Sequence, residues 1–483
     1  MGSSNKSITY GLFWKLLERF GVQGAQFVLQ IILARILSPE HYGMLSIMII
    51  FTTLANVFIQ SGFNTALIQN KDVTEDDYSS VFWVSLGISG ILYALIFLCA
   101  PLIAAFYAMP EIVSPLRVLA LVLFPGALNS VQVAKISREL NFKKVFISNV
   151  AAIMVSGAVG IAMACMGAGL WALVGQSIAN VFVSCIVMRF TVSLKLRFYC
   201  NLQRVKVLFG FGWKLLVSTL IDTLYSDVYS LIIGKKYSSD TLGYYSKGRQ
   251  FPQFIINSIN GAVQSVMLPV LSAKQDERDK VKSLMRTSMM MSSYIIFPMM
   301  AGLAAIATPL ITLLLTEKWL PCVPYVQIYC FSLAFYPVHT CNLQAVNAMG
   351  RSDVFLRLEI IKKAYGIALL IFALVCFDSP IAIVAMGVVS TLIGFFVNAS
   401  PNKKLIGYSY FEQVRDVLPS FIIAITMFMC VSALTLLSLS PIILILIQVV
   451  VGILFYLIVS VVFRPEPYKL LLNIIKQKRK KRK

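Results

Sequence analysis

The sequence predicts an all-α protein that crosses a membrane many times. Only 13% of its 483 residues are charged and 58% are hydrophobic, whereas about one quarter of an average soluble chain is charged. The apolar residues are gathered in long runs, and about 20 of them suffice for one membrane-spanning helix. The Lys and Arg residues lie mostly in alternate loops between those runs. These three observations together indicate a polytopic membrane protein.

The apolar runs predict about fourteen transmembrane helices. The first is the least hydrophobic, and the third, VFWVSLGISGILYALIFLCAPLIAAF, is typical of the rest. The predicted spans lie near residues 10–34, 42–66, 80–106, 112–134, 145–165, 169–188, 207–233, 250–271, 288–315, 323–347, 355–376, 380–397, 417–437 and 441–463.

The distribution of basic residues predicts the orientation of the chain. With the N-terminus inside, the cytoplasmic segments hold 32 of the 42 Lys and Arg residues, the outer loops hold six, and four lie within spans. Basic residues are retained on the cytoplasmic side of membrane proteins. We therefore expect a multi-pass protein of the bacterial cytoplasmic (inner) membrane with both termini in the cytoplasm, which requires an even number of spans.

Composition and loop length exclude several classes of function. The net charge of +21 follows from the orientation signal, and the basic tail 464–483 is expected to contact anionic lipid headgroups rather than nucleic acid. The loops are too short for a nucleotide-binding domain, and the sequence has no G-x-x-x-x-G-K-[ST] motif for ATP phosphates. No cofactor or metal is expected.

An internal repeat divides the chain. The letters WKLL at 14–17 recur at 213–216, an offset of 199, and Tyr42-Gly43 aligns with Leu242-Gly243 at an offset of 200. The repeat thus pairs span 1 with span 7. Because six spans per copy is an even number, both copies enter the membrane from the same side and are related by an axis along the membrane normal.

The repeat predicts four parts of the chain. An N-terminal six-helix lobe covers 1–190, and a C-terminal six-helix lobe covers 191–400. Spans 13 and 14, in 401–463, are two extra C-terminal helices outside the repeat, and 464–483 is the basic cytoplasmic tail. Two facing bundles with a cleft between them are typical of alternating-access transporters.

The first span carries a polar stripe that lipid alone does not accommodate. Its members are spaced 4, 4, 3 and 4 residues apart, which places them on one helical face. Those residues are Lys15, Arg19, Gln23, Gln26 and Gln30, with Glu18 beside them. Arg19 would lie about 15 Å deep at 1.5 Å per residue, and a charge at mid-bilayer costs roughly 2.5–3.5 kcal/mol. The stripe is therefore predicted to line a watery cavity, the alternative being a structural pair with Glu18.

The seventh span repeats this pattern. Lys214, Ser218, Asp222, Tyr225 and Tyr229 follow the same spacing. An intramembrane carboxylate serves either to couple transport to an ion or to pair with a buried cation. Asp222, and Asp227 nearer the outside, are candidates for H⁺ or Na⁺ coupling or for charge pairing with Arg19 or Lys214.

Two further charged features have competing interpretations. Arg117 in the fourth span either lines an outer cavity or extends to outer headgroups. The acidic run Glu75-Asp76-Asp77 lies beside Lys71. It is predicted to be a solvated cytoplasmic loop, the alternative being a metal-dependent glycosyltransferase site.

The segments LARILSPEHYGMLSI and LGYYSKGRQF, together with the repeated WKLL, resemble the polysaccharide-unit flippases of the multidrug/oligosaccharidyl-lipid/polysaccharide (MOP) superfamily, and most closely the colanic acid/teichuronic acid exporters. The resemblance implies transfer of an undecaprenyl-pyrophosphate-linked oligosaccharide to the outer leaflet, without ATP hydrolysis. It implies a cationic cavity between two lobes, with polymerase or assembly proteins as possible partners.

Two rival classes remain. A related exporter of another cargo, such as a drug or the peptidoglycan lipid precursor, would share the fold, but an exporter of cationic drugs should have a cleft dominated by carboxylates. A polysaccharide polymerase or ligase would need a large outer loop with catalytic residues, and the longest one predicted is 234–249.

Overall fold

The chain is helical throughout the part that the structure describes, and no strand occurs in that part. This confirms the predicted all-α class. The computed structural model describes Trp14, Leu17 and residues 21–60, 63–70, 72–139, 141–194, 196–437 and 439–482.

The helices form two compact units, Met1–Ser246 and Lys247–Lys483. In the N-terminal unit, three short 3₁₀ or α segments interrupt the fourth predicted span. Its helices are α1 Gln23–Ile36, α2 Pro39–Gln60, α3 Phe63–Gln69, α4 Glu75–Tyr107, α5 Val113–Leu119, α6 Leu123–Glu139, α7 Phe142–Cys165, α8 Leu170–Thr191 and α9 Leu202–Lys236.

The tenth helix begins in the N-terminal unit and continues into the C-terminal one. The remaining helices all belong to the C-terminal unit. They are α10 Ser239–Ser272, α11 Arg278–Ala305, α12 Ala307–Leu315, α13 Val323–Ala334, α14 Tyr336–Ala348, α15 Ser352–Cys376, α16 Pro380–Ala399, α17 Asn402–Ile406, α18 Tyr410–Ala433, α19 Pro441–Phe463 and α20 Glu466–Arg482.

Thirteen of the fourteen predicted spans coincide with a helix or a pair of consecutive helices, and the first, 10–34, is described as a helix from Gln23 onwards. Within the described residues, ten stretches are long and apolar enough to cross a membrane, which confirms a multi-pass membrane protein. The predicted spans that fall short do so for physical reasons. There are four of them: α1 has 14 residues, α10 is rich in Gln, Asn and Ser, the tenth span is divided between the short helices α13 and α14, and α15 carries five charged residues in its first half. The total of fourteen stays a prediction.

The boundary between the two compact units lies after Ser246, whereas the repeat places the boundary between the lobes after residue 190. The repeat assigns α9 to the second lobe, whereas α9 packs within the N-terminal unit. The lobes 1–190 and 191–400 therefore remain predictions from the internal repeat.

The two helices of the last predicted spans, α18 and α19, pack on α11 in the C-terminal unit. The Tyr294 hydroxyl donates to Ser460 Oγ at 2.6 Å, and the Tyr456 hydroxyl donates to the Tyr294 carbonyl at 2.8 Å. Eight residues earlier on α11, Arg286 forms bidentate pairs with Asp416 and Glu466. The last helix, α20, is thereby fastened to α11 at its first residue.

Candidate functional site: a polar-striped helix and a two-fold helix crossing

The internal repeat is reproduced in the local structure at an offset of 200 residues. α1 ends at Ile36 and α9 ends at Lys236, and α2 and α10 begin three residues later in each copy. The hydroxyl of Ser38 contacts His41 Nδ1 at 2.9 Å, and the hydroxyl of Ser238 contacts Thr241 Oγ1 at 3.0 Å. The two copies therefore turn between their first and second helices in the same way.

The two copies meet at a helix crossing that has two-fold symmetry. A β-carbon added to Gly43 would lie 1.8 Å from the Ser239 carbonyl oxygen, and one added to Gly243 would lie 2.0 Å from the Pro39 carbonyl oxygen. These contacts exchange under the 200-residue offset, as contacts across a two-fold axis must. Only glycine allows α2 and α10 to approach this closely.

The axis of this crossing passes between two serines. Ser46 Oγ and Ser246 Oγ lie 2.8 Å apart, and the two residues are equivalent in the repeat. A residue that touches its own equivalent must lie on the symmetry axis. The glycine contacts and the serine pair, which we call the glycine crossing, thus show the 200-residue equivalence at the first two helices of each copy, whereas a repeat of six helices stays a prediction.

Helix α9 exposes two stripes to its surroundings. The polar stripe contains Lys214, Ser218 and Asp222, all exposed. The adjacent stripe is apolar, and its residues are also exposed: Trp213 46%, Val217 40% and Ile221 48%. Neighbouring residues on a helix point about 100° apart. The same helix therefore presents one face suited to lipid and another that a hydrocarbon environment would penalise.

On α1 the described part of the polar stripe borders the packed face. Gln23 is exposed, and Gln26 and Gln30 are half-buried. The buried face carries Leu29 and Leu33, which pack at small residues of α7, and the exposed apolar residues of α1 are Val28, Ile32 and Ile36. The predicted cations Lys15 and Arg19, with Glu18, lie outside the described residues.

Arg117 is engaged by α4. Its Nε donates to the Phe97 carbonyl at 3.1 Å, and its guanidinium lies 4.1 Å from the centre of the Phe97 ring. Lys235 makes the same two kinds of contact with Phe106, which lies in the last turn of α4: a hydrogen bond to its carbonyl and a cation–π contact with its ring. These contacts supply a structural role for Arg117, so its predicted role in an outer cavity stays a prediction. Asp227 is half-buried.

The acidic run at 75–77 is not a solvated loop, which corrects the prediction from the sequence. It forms the first turn of α4, where Thr74 and Asp77 make a reciprocal capping box. Each carboxylate is paired: Glu75 with Lys135 at 2.6 Å, Asp76 with Arg197 at 3.4 Å, and Asp77 with Arg204 at 3.0 Å.

The pattern T-x-x-D before an apolar run is a helix-start signal, and it would have placed this turn correctly from the sequence. The basic partners lie about 60 to 130 residues away in sequence. Because they are so distant, no local sequence pattern predicts these pairs. We call residues 75–77, at the start of α4, the acidic turn. Within the described residues no group of three or more His, Cys, Asp or Glu side chains is arranged to hold a metal ion.

These features define a class: a multi-pass membrane protein with an internal two-fold repeat and a charged stripe on a spanning helix. The chain belongs to the polysaccharide biosynthesis protein family, whose pattern it matches over residues 32–324. The resemblance inferred from the sequence is thereby confirmed.

Curated relatives extend the match along the chain. The teichuronic acid biosynthesis protein TuaB of Bacillus subtilis (strain 168) is 23% identical over 435 residues, 88% of this chain and 89% of that protein. The succinoglycan biosynthesis transport protein ExoT of Rhizobium meliloti (strain 1021) is 24% identical over 314 residues, 65% of this chain and 64% of that protein. The match therefore spans slightly less than two thirds of ExoT.

Solved structures share the fold. A lipid II flippase MurJ in an inward closed conformation superposes with a TM-score of 0.71 at 16% identity, covering 95% of this chain and 98% of that one. A multidrug resistance MATE family transporter of the MOP superfamily, in an inward-facing conformation, gives 0.61 at 14% identity, covering 81% and 98%. This likeness confirms the predicted fold class.

Proposed function

We propose that this chain is a flippase that moves an undecaprenyl-pyrophosphate-linked oligosaccharide from the cytoplasmic to the outer leaflet for the synthesis of a cell-surface polysaccharide. Movement would occur by alternating access of the two lobes, without ATP hydrolysis. Membership of the polysaccharide biosynthesis family and the relatives named as transport or teichuronic acid biosynthesis proteins support this proposal.

The observation that carries the proposal is the double stripe of α9. A lipid-linked oligosaccharide has a charged, hydroxyl-rich head and a long hydrocarbon tail. Lys214, Ser218 and Asp222 offer the head a cation, a hydroxyl and a carboxylate, while the exposed Trp213 and Val217 lie about 100° away on the side suited to the tail. A head group can thus follow a watery path while its tail stays in lipid.

Charge chemistry favours a phosphate-bearing cargo. The predicted stripe of the first span adds Arg19, whose planar guanidinium can bridge two phosphate oxygens, and Lys15, which supplies a point charge. Amides on the same face, Gln23 and Gln26 among them, donate to and accept from sugar hydroxyls. An exporter of cationic drugs would need the opposite charge along this path.

The remaining parts of the proposal concern place and partners. The orientation signal supports a bacterial cytoplasmic membrane location with both termini inside. The class of the protein is a transporter rather than an enzyme, and its partners are the lipid-linked oligosaccharide, membrane lipids and proteins of polysaccharide polymerisation and assembly.

The proposal is tested by deletion and complementation in the source cells. We expect deletion to abolish the surface polysaccharide and to leave its lipid-linked repeat unit exposed only on the cytoplasmic leaflet, with restoration by the intact chain. Repeat units that reach the outer leaflet without polymer would instead assign this chain to polymerisation, and a loss of peptidoglycan synthesis would assign it the other lipid cargo.

Asp222 is proposed to couple transport to an H⁺ or Na⁺ gradient. Asp222→Asn removes the charge and the site of protonation but keeps the size of the side chain. We expect transport by this variant in vesicles to lose its dependence on the imposed ion gradient, whereas Asp222→Glu, which keeps a carboxylate that can be protonated, retains it. An unchanged gradient dependence in Asp222→Asn would leave only a structural role for this carboxylate.

A further inference from the structure

The acidic turn has no part in the proposed transport path, yet it is among the most heavily bonded features of the N-terminal unit. Asp77 is 4% exposed and accepts two hydrogen bonds from Arg204, from Nε and Nη2, both at 3.0 Å. A second bond from Arg204 Nη2 reaches the Asp72 carbonyl at 3.2 Å. The hydrogen bonds to Asp77 raise the pKa of the Arg204 guanidinium above its usual value.

The segment between α8 and α9 is bound at residues 197 and 201 to the helix that begins with this turn. The Arg197 backbone N–H donates to Ser79 Oγ at 3.0 Å, and the Asn201 N–H donates to Ser80 Oγ at 3.0 Å. Trp83 Nε1 donates to the Arg197 carbonyl at 2.9 Å. Ser79 and Ser80 are fully buried. The connection between the two repeats is therefore held against α4 by hydrogen bonds.

The fastening reaches the first turn of α9 itself. Asn201 Oδ1 caps α9 by accepting from the backbone N–H groups of Gln203 and Arg204 at 3.1 Å. Asn201 and Arg204 thus bind α4 and the start of α9 at the same time. The cytoplasmic end of α9 is held at its cap and again one turn further on.

The other end of α9 is held by the same unit. Ile233 is fully buried, and Lys235 contacts Phe106 at the end of α4. A β-carbon added to Gly234 would lie 2.7 Å from Ile47 of α2. Between these two ends, the middle of α9 exposes the polar stripe.

We propose that Asp77 and Arg204 are positioning residues that fasten the start of α9 to α4 and thereby set the position of its polar stripe, although the sequence repeat assigns α9 to the second lobe. Asp77 is fixed by the capping box and does not touch the stripe. Its bond to Arg204 sets where the helix carrying Lys214 and Asp222 begins. The position of α9 does not depend on the proposed function, whereas the expected effect on export rests on it.

The experiment measures the position of α9 without any cargo. Ser218 is replaced by cysteine in the full chain in native membranes, and its reaction with a membrane-impermeant maleimide is followed by peptide mass spectrometry, which distinguishes it from the nine natural cysteines. Arg204→Ala is expected to change the labelling rate at 218 by roughly fivefold, the ratio that corresponds to the upper end of the range for exposed ion pairs. Arg204→Lys should restore part of the original rate.

Arg197→Ala is the matched control. Arg197 lies in the same segment and pairs with Asp76 of the same turn, but its side chain is 67% exposed and its backbone bonds to Ser79 and Trp83 survive the substitution. We expect its labelling rate at 218 to equal that of the unsubstituted chain. If Arg204→Ala does not accumulate in the membrane, Asp77→Asn serves as the test variant instead. Its amide oxygen can still accept from Thr74, so the helix cap is retained.

Labelling separates the outcomes. An unchanged rate at 218 in both Arg204→Ala and Asp77→Asn, even with a lower melting temperature, would overturn the positioning role and leave a purely structural one. A changed rate in a chain that never moves lipid-linked oligosaccharide would uphold the positioning role and reject the proposed function. A changed rate with export reduced relative to Arg197→Ala supports both.

Discussion

Gly43→Ala and Gly243→Ala are expected to have the largest effects on stability in this chain. Each added methyl group would lie about 2 Å from a backbone carbonyl oxygen of the opposite helix. Because a backbone atom cannot rotate away as a side chain does, α2 and α10 must separate. Overpacking of this kind costs about 1–3 kcal/mol and occasionally more. We expect a lower melting temperature in detergent and at least a tenfold loss of surface polysaccharide, about 1.4 kcal/mol in equilibrium terms.

Gly87→Ala is the matched control for both substitutions. Gly87 also lies within a helix, α4, but no atom lies within 4 Å of a β-carbon added there. Alanine in an open helical position stabilises by about 0.5–1 kcal/mol relative to glycine. If Gly43→Ala melted at the same temperature as Gly87→Ala, the close contact between α2 and α10 would be wrong.

Lys214→Ala should reduce export at least tenfold while leaving the protein in the membrane. Lys214 is exposed on the polar stripe of α9, so its removal empties no packed core. A hydrogen bond to a charged partner is worth about 1.5–3 kcal/mol, which corresponds to a loss of transport of roughly tenfold to a hundredfold. Surface polysaccharide per molecule of transporter is the quantity to measure, and Lys214→Arg should retain part of it.

Lys206→Ala is the control that keeps the change in charge constant. Lys206 is also exposed on α9, but it lies eight residues before the stripe, outside the predicted span. It should export at the original level. The sequence makes the same prediction of lost export for Arg19→Ala. Wild-type polysaccharide in Lys214→Ala would remove this side chain from the transport path.

The repeat and the stripe on α9 were predictable because each rests on local periodicity. The spacing of Lys214, Ser218 and Asp222 follows the helical period directly, and an offset of 200 aligns Gly43 with Gly243 without any structure. The sequence could not show that these glycines touch backbone across a two-fold axis, since that contact depends on how two distant helices cross.

Long-range partners account for what the sequence missed. The acidic turn was interpreted as a solvated loop because its cations, Lys135 and Arg204 among them, are remote in sequence. Likewise the contacts of Arg117 with Phe97, 20 residues away in sequence, were not predicted. The packing of α9 with the N-terminal unit also depends on tertiary contacts at its two ends. The repeat shows only which segments of the sequence are similar, so it does not predict these contacts.

The central claim is that this chain moves a lipid-linked oligosaccharide between leaflets. The most direct measurement reconstitutes the purified chain in liposomes that contain an undecaprenyl-pyrophosphate-linked oligosaccharide and follows its accessibility to an impermeant sugar-modifying enzyme under an imposed ion gradient. The account predicts that the chain transfers this lipid faster than Lys214→Ala does, and that Lys206→Ala matches the unsubstituted chain. Equal transfer in protein-free liposomes and in liposomes with the unsubstituted chain would contradict it.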